Sequence, residues 1–262
     1  MELQGRAADL EKQGISIVAV SYDPVDTLAK FAAAKGITYP LLSDAGSSVI
    51  KQYRLLNDTQ EQGTRYYGVP WPGTFVLDAQ RRVTSRFFEE RYQERNTAAS
   101  IVVRQGGAGT GPGITMANPH VAVKGSVSDA EVAPGSRVTL AFDITPGRRI
   151  HVYAPGADYQ VVTVKIGPQP VLLPHETVYP ASEIYFFEPL NEKVPVYQKP
   201  FRLTQDVTVA ATREAQEALR GMATLTLTGA LEYQACDDKV CFKPNAIPFK
   251  FELKVKALDR PN

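Results

Sequence analysis

Cysteine is nearly absent from this chain. The 262 residues contain two, and both fall in the run CDDKVC at 236–241, so residues 1 to 235 offer no thiol nucleophile, thiolate ligand or disulfide partner. Histidine is scarce too. His120, His151 and His175 have no close spacing with the cysteines, so the ligand set of a zinc site is missing and no metal is expected. No cofactor is expected either. An excess of one charge is also lacking: Lys plus Arg is 29 against 28 for Asp plus Glu, a net charge of +1, which gives no basic field for a phosphate backbone. Nucleic acid is therefore excluded as the natural partner. No apolar run approaches the roughly 18 to 20 residues that cross a bilayer, so no membrane span is expected in this chain. The opening MELQGRAADLEKQG is amphipathic rather than signal-like and reads as the middle of a helix.

What is present is the composition of a globular protein, 44% hydrophobic and 22% charged, at a length that favours two domains. In the first half, Leu3, Ala7, Ala8 and Leu10 mark a helix that Gly14 closes. ISIVAVSYD follows as an apolar strand of the kind buried in a parallel sheet. A second helix runs from Asp23-Pro24 to about Ala34, and SSVIKQYRL is a third. Thr74 to Leu77 and Arg82 to Phe88 read as two antiparallel strands about a turn at 78–81, and residues 91 to 103 as a last helix. The order αβα(α)ββα predicts an α/β domain over residues 1–103. Five Gly and two Pro then crowd residues 104 to 119, and 104–118 reads as a Gly/Pro-rich linker. From 119 to 257 the chain turns to short alternating β-rich runs, which predict an antiparallel sandwich, with one short helix over 213–221.

WPGTFVLDAQRRV, together with ISIVAVSYDPVDTLAKFAAAKGITYPLLSD upstream, resembles the AhpC/TSA redoxin family of peroxiredoxin and thioredoxin-like proteins. The resemblance implies a thioredoxin-like domain that lacks its first strand and its active-site cysteine, so the chain is expected to be a fragment of a longer redoxin or a cysteine-free scaffold. Pro72 falls where that family has a cis-proline facing the active site. A turn proline, with Pro70 competing for the role, is the alternative. Trp71 reads either as the lining of a groove or as a packing aromatic. Arg65, Arg81 and Arg82 read as solvated loop charges.

The cysteines flank a bend between the strands ATLTLTGALEYQA and IPFKFELKV, and such a bend brings two Cα atoms within disulfide reach. Closing a six-residue loop stabilises by only about 2 kcal/mol. A hairpin staple, two free thiols, half of a metal site and a redox pair are the open readings. LEYQACDDKVCFKPN resembles the active-site stretch of the amino-terminal domain of the thiol-disulfide interchange protein DsbD family, with four residues between the cysteines where five are usual. That resemblance implies an immunoglobulin-like sandwich with Cys236 and Cys241 as a redox-active pair. It also implies Tyr153 facing the pair, and Val240 and Phe242 beside Cys241. HETVYPASEIYFF would form a cap over the disulfide, with Glu176, Val178 and Tyr179. For Tyr153 and Tyr179, ordinary core packing is the alternative.

By the same resemblance the partners are thioredoxin-like or DsbD-like redox proteins and oxidised client proteins, in a periplasmic or other extracytoplasmic compartment. Cys236 is expected to be the more open cysteine, and so the one that meets clients. Three functions compete: a thiol-disulfide relay working with a thioredoxin-like domain, a peroxiredoxin-type antioxidant whose peroxidatic cysteine lies outside this chain, and an immunoglobulin-like docking module with an incidental disulfide.

Overall fold

The computed structural model describes residues 2–64, 67–88, 94–188 and 191–256. It divides into two compact units, Met1–Tyr92 and Gln93–Asn262. The first unit contains α1 (Glu2–Lys12), β1 (Ala19–Ser21), α2 (Val25–Lys35), β2 (Leu41–Ser43), α3 (Ser48–Gln52), β3 (Gly73–Leu77) and β4 (Val83–Phe88). Gly36 ends α2 in the left-handed region at φ 62°, and its N–H meets the carbonyls of Ala32 and Ala33. β1 pairs with β2 in parallel and β3 with β4 antiparallel, as two separate two-stranded sheets. The turn between β3 and β4 is closed by Asp78, whose carboxylate accepts from the N–H groups of Gln80 and Arg82 and pairs with the Arg82 side chain. Arg82 is thus a structural charge, and Arg65 lies outside the described residues. The expected strand over 15–21 shortens to three residues, and Val18 and Val20 are half exposed instead of buried.

The second unit is mostly β-sheet. Its elements are β5 (Arg95–Asn96), α4 (Ala98–Arg104), β6 (Gly113–Ala117), β7 (Val121–Val127), β8 (Glu131–Val132), β9 (Ser136–Pro146), β10 (His151–Tyr153), β11 (Thr163–Ile166), β12 (Leu172–Val178), β13 (Glu183–Phe187), β14 (Glu192–Tyr197), β15 (Phe201–Val209), α5 (Arg213–Leu219), β16 (Thr224–Tyr233), β17 (Ala235–Cys236) and β18 (Asn245–Val255). One sheet has the order β12-β15-β9-β7-β6, with β5 beside β9, and a second the order β11-β16-β18-β8. Strict alternation along β18 sends Ile247, Phe249, Phe251 and Leu253 inward, and β7 does the same with Val121, Val123 and Val127. These side chains meet in one core, where the Phe142 and Phe249 rings lie 5.0 Å apart across the two sheets.

Two expectations are corrected here. The boundary at 103 gives way because α4, capped by the Thr97 hydroxyl accepting from the Ser100 N–H, packs on β9 within the second unit. The linker over 104–118 gives way as well. Residues 113–117 form β6, paired with β7 from Gly113↔Ser126 to Ala117↔Ala122. The Thr110 and Gly111 N–H groups donate to the Ser128 and Val127 carbonyls. The glycines serve close backbone approach rather than freedom: a Cβ on Gly109 or Gly111 would strike the backbone of residues 127–129.

Candidate functional site

The site lies on a third sheet of order β13-β14-β10-β17. Because successive side chains of a strand leave on opposite faces, this small sheet has two unlike sides. Val152, Tyr197 and Ala235 point into the main core. Tyr153, Val194, Val196 and Cys236 point the other way and form a second cluster, on which Ala157, Tyr159, Tyr185 and Cys241 pack.

Cys236 and Cys241 form a disulfide with their Cα atoms 4.1 Å apart. They face each other as an antiparallel bridge pair, with hydrogen bonds from the Asp237 N–H to the Val240 carbonyl and from the Phe242 N–H to the Ala235 carbonyl on either side. That is the non-hydrogen-bonded pair of an antiparallel ladder, in which facing side chains stand closest. The four intervening residues make the turn. Asp237 shapes it by accepting from the Lys239 and Val240 N–H groups at 2.8 and 2.7 Å, bonds that also hold its carboxyl below the ordinary range. The acidic residue of the motif is therefore a turn former.

Tyr153 reaches across from β10. Its hydroxyl lies 3.0 Å from Cys236 Sγ and 3.2 Å from Cys241 Sγ, and since a disulfide carries no S–H the hydroxyl is the donor. Burial pushes its pKa up to about 12, so it donates without ionising at neutral pH. Tyr159 stacks on it at 4.4 Å and anchors its own hydroxyl on Glu192 at 2.7 Å. His151 sits directly opposite Cys236 in the ladder, with the Tyr185 ring 4.6 Å away. Burial lowers its pKa, against an upward pull from Asp238 and Asp237.

Other residues singled out by the sequence are placed elsewhere. Val178 pairs with Thr204 on β12, at the edge of the six-stranded sheet, and Glu176 lies on the same strand. Tyr179 packs on the main core, and the aromatic of this stretch that packs with the Tyr153 and Cys236 cluster is Tyr185. The resemblance named Tyr179; which aromatic of this stretch meets the cluster is decided by the register of β13 on β14. Phe242 stacks on His120 at 4.2 Å and joins the main core, while Val240 is exposed at the turn. Cys236 is fully buried whereas Cys241 is partly exposed, the reverse of the expected order, because Cys236 points from β17 beneath Tyr153 while Cys241 stands just after the turn, ahead of β18. The peptide bond before Pro72 is trans, correcting the cis-proline expectation: an extended ladder carries the chain there, with Leu56 bridged to Pro70 and the Trp71 N–H donating to the Leu55 carbonyl. His151, Tyr159 and Tyr185 were missed. Only the Gly-Arg-Arg-Ile-His-Val-Tyr spacing, which puts His151 and Tyr153 on one face, held a signal for any of them.

The first unit resembles a redoxin: the family model described as AhpC/TSA family matches residues 1–86. Two proteins of Mycobacterium tuberculosis, from strains CDC 1551 and H37Rv and provisionally named peroxiredoxins, are each 30% identical over 82 residues, which is 31% of this chain and 52% of theirs. The chain thus spans about half the length of the curated relatives it matches. Among solved structures, the N-terminal periplasmic domain of ScsB from Proteus mirabilis is similar with a TM-score of 0.36 at 15% identity, covering 54% of this chain and 49% of that one. At that level the chemistry of the second unit rests on its own residues. Among the described residues no group of His, Cys, Asp and Glu is arranged to hold a metal, and no helix is long and apolar enough to cross a membrane.

Proposed function

We propose that Cys236 and Cys241 carry out thiol-disulfide exchange with a thioredoxin-like or DsbD-like redox protein on one side and oxidised client proteins on the other. The observation that carries this reading is the Tyr153 hydroxyl set between both sulfurs, on the face of the small sheet turned away from the main core. A disulfide there ties no sheets together, and its loop is too short to add much stability. Exposure assigns the first contact to Cys241. A partner thiolate attacks Cys241 Sγ, a new disulfide forms to the partner, the Cys236–Cys241 bond breaks, and its electron pair leaves on Cys236 Sγ. The partner's second thiolate then attacks its own sulfur and releases Cys241. The partner leaves oxidised and the pair reduced.

An oxidising, extracytoplasmic compartment suits such a disulfide. The redoxin-like first unit holds no cysteine, so peroxide chemistry by this chain would have to run through the same pair. Titration against glutathione or dithiothreitol tests the reading. A reduction potential within roughly −120 to −270 mV is expected, and one below about −300 mV would mark a structural staple.

A further inference from the structure

The exchange reading leaves one buried base unused. His151 is 2% exposed, and its Nε2 has no hydrogen-bond partner among the described residues. An unpaired buried nitrogen is costly and rarely kept without cause. The ladder sets His151 opposite Cys236, so both side chains leave the sheet on one face with Cβ atoms about 4.5 to 5.5 Å apart. Rings close the remaining sides: Tyr185 at 4.6 Å, Tyr153 at 5.8 Å and Phe187 at 6.3 Å.

When the disulfide opens, the electron pair leaves on Cys236, which is fully buried and has one hydroxyl donor. Tyr153, with its pKa near 12, supplies a hydrogen bond but no proton. A histidine is the side chain whose charge changes near neutrality. We propose that His151 is the proton-uptake site of the pair: as the Cys236–Cys241 bond breaks, His151 takes a proton from solvent and holds the Cys236 thiolate as a thiolate-imidazolium pair. The proton that the attacking thiol gave up to solvent is matched by the one His151 gains. The inference rests on the exchange reading, and it sets His151 against the reacting sulfur of Cys236 while leaving it clear of partner and client.

The charged groups around it favour uptake on balance. From β17 and its turn come Asp237 and Asp238, with Lys239 opposing them. Arg149, before β10, lies 4.0 Å from Asp238 and offsets part of its charge. From β13 the Tyr185 ring intervenes, with Glu188 beyond it.

Proton resonance of the histidine rings in the full chain tests this, with the protein oxidised and then reduced by excess dithiothreitol. His151 is expected to titrate about 1 to 3 pH units higher in the reduced protein, as for any group gaining an opposite charge at that range, while His175 does not move. An unchanged His151 midpoint would overturn the proposal. A second measurement isolates the thiol. In Cys241→Ser, the ultraviolet absorbance of the Cys236 thiolate is followed against pH with and without His151→Gln. A midpoint about one unit higher in the double variant, tenfold less thiolate at a given pH below it, is expected. Equal midpoints would count against His151. Excess reductant opens the bond whatever its potential, so a staple disulfide would fail the titration described above without deciding either of these results.

Discussion

At the scale of single residues, the site depends on groups that share a face. Tyr153→Phe keeps the ring that stacks on Tyr159 and removes the donor to both sulfurs. A hydrogen bond to a charged group contributes about 1.5 to 3 kcal/mol, so release of the Cys236 thiolate should slow at least about tenfold while the melting temperature barely changes. Stopped-flow exchange with a dithiol partner reads the first and calorimetry the second; an unaltered rate would remove Tyr153 from the chemistry. His151 also sets a pH dependence of stability. Its folded-state pKa is lowered in the oxidised protein, so the unfolded chain binds the proton first and stability falls as pH drops below about 6.5 toward the lower folded value. His151→Gln should flatten that part of a denaturation-against-pH curve, and an unchanged slope would argue against it. Tyr153 was legible in the sequence because it belongs to a motif. Tyr185 was not, since it reaches the cysteines only through pairing of β13 with β14 and of β14 with β10, and Tyr159 was not, since it lies in the loop after β10 and arrives by stacking back on Tyr153; no local pattern records either.

At the scale of elements, local patterns succeeded where one face is buried and failed where function of a residue type is ambiguous. The alternation of IPFKFELKV foretold β18 residue by residue, because a half-buried strand must alternate. The glycines of 104–113 signal both a free linker and a tightly apposed backbone, and composition cannot separate the two. Gly111→Ala separates them: its Cβ would meet the Asp129 carbonyl, so we expect a melting temperature lower by several degrees, where a free linker would show no change. In the first unit, β1 and β3 each pair on one side only among the described residues. Their free edges should exchange amide hydrogens much faster than β9 or β16, whose neighbours lie on both sides. Equal protection in the two units by mass spectrometry would contradict that ordering.

Across the whole molecule the chemistry is lopsided. The redoxin-like unit carries no cysteine, and every side chain named at the disulfide belongs to the second unit. Residues 93–262 alone should therefore keep the reduction potential of the full chain, and a displaced potential would reveal a contribution from the first unit. Cys236→Ser with Cys241→Ser should leave the second unit folded, since only about 2 kcal/mol is at stake. Broad class and the cysteine pair were legible because they rest on composition and a short motif. The unit boundary was not, because α4 is a helix followed by glycines and only its docking on β9 shows which unit owns it. The small sheet on which the pair sits has a further consequence for variation. Neighbouring positions along one strand answer to different demands: 151 and 153 to the sulfurs, 152 to the interior. Parity, more than distance, divides this stretch of the chain into what can drift with packing and what must keep facing the disulfide. A lost or gained single residue between β10 and its partners would exchange the two sets at once, whereas a change of two would restore each side chain to its own face.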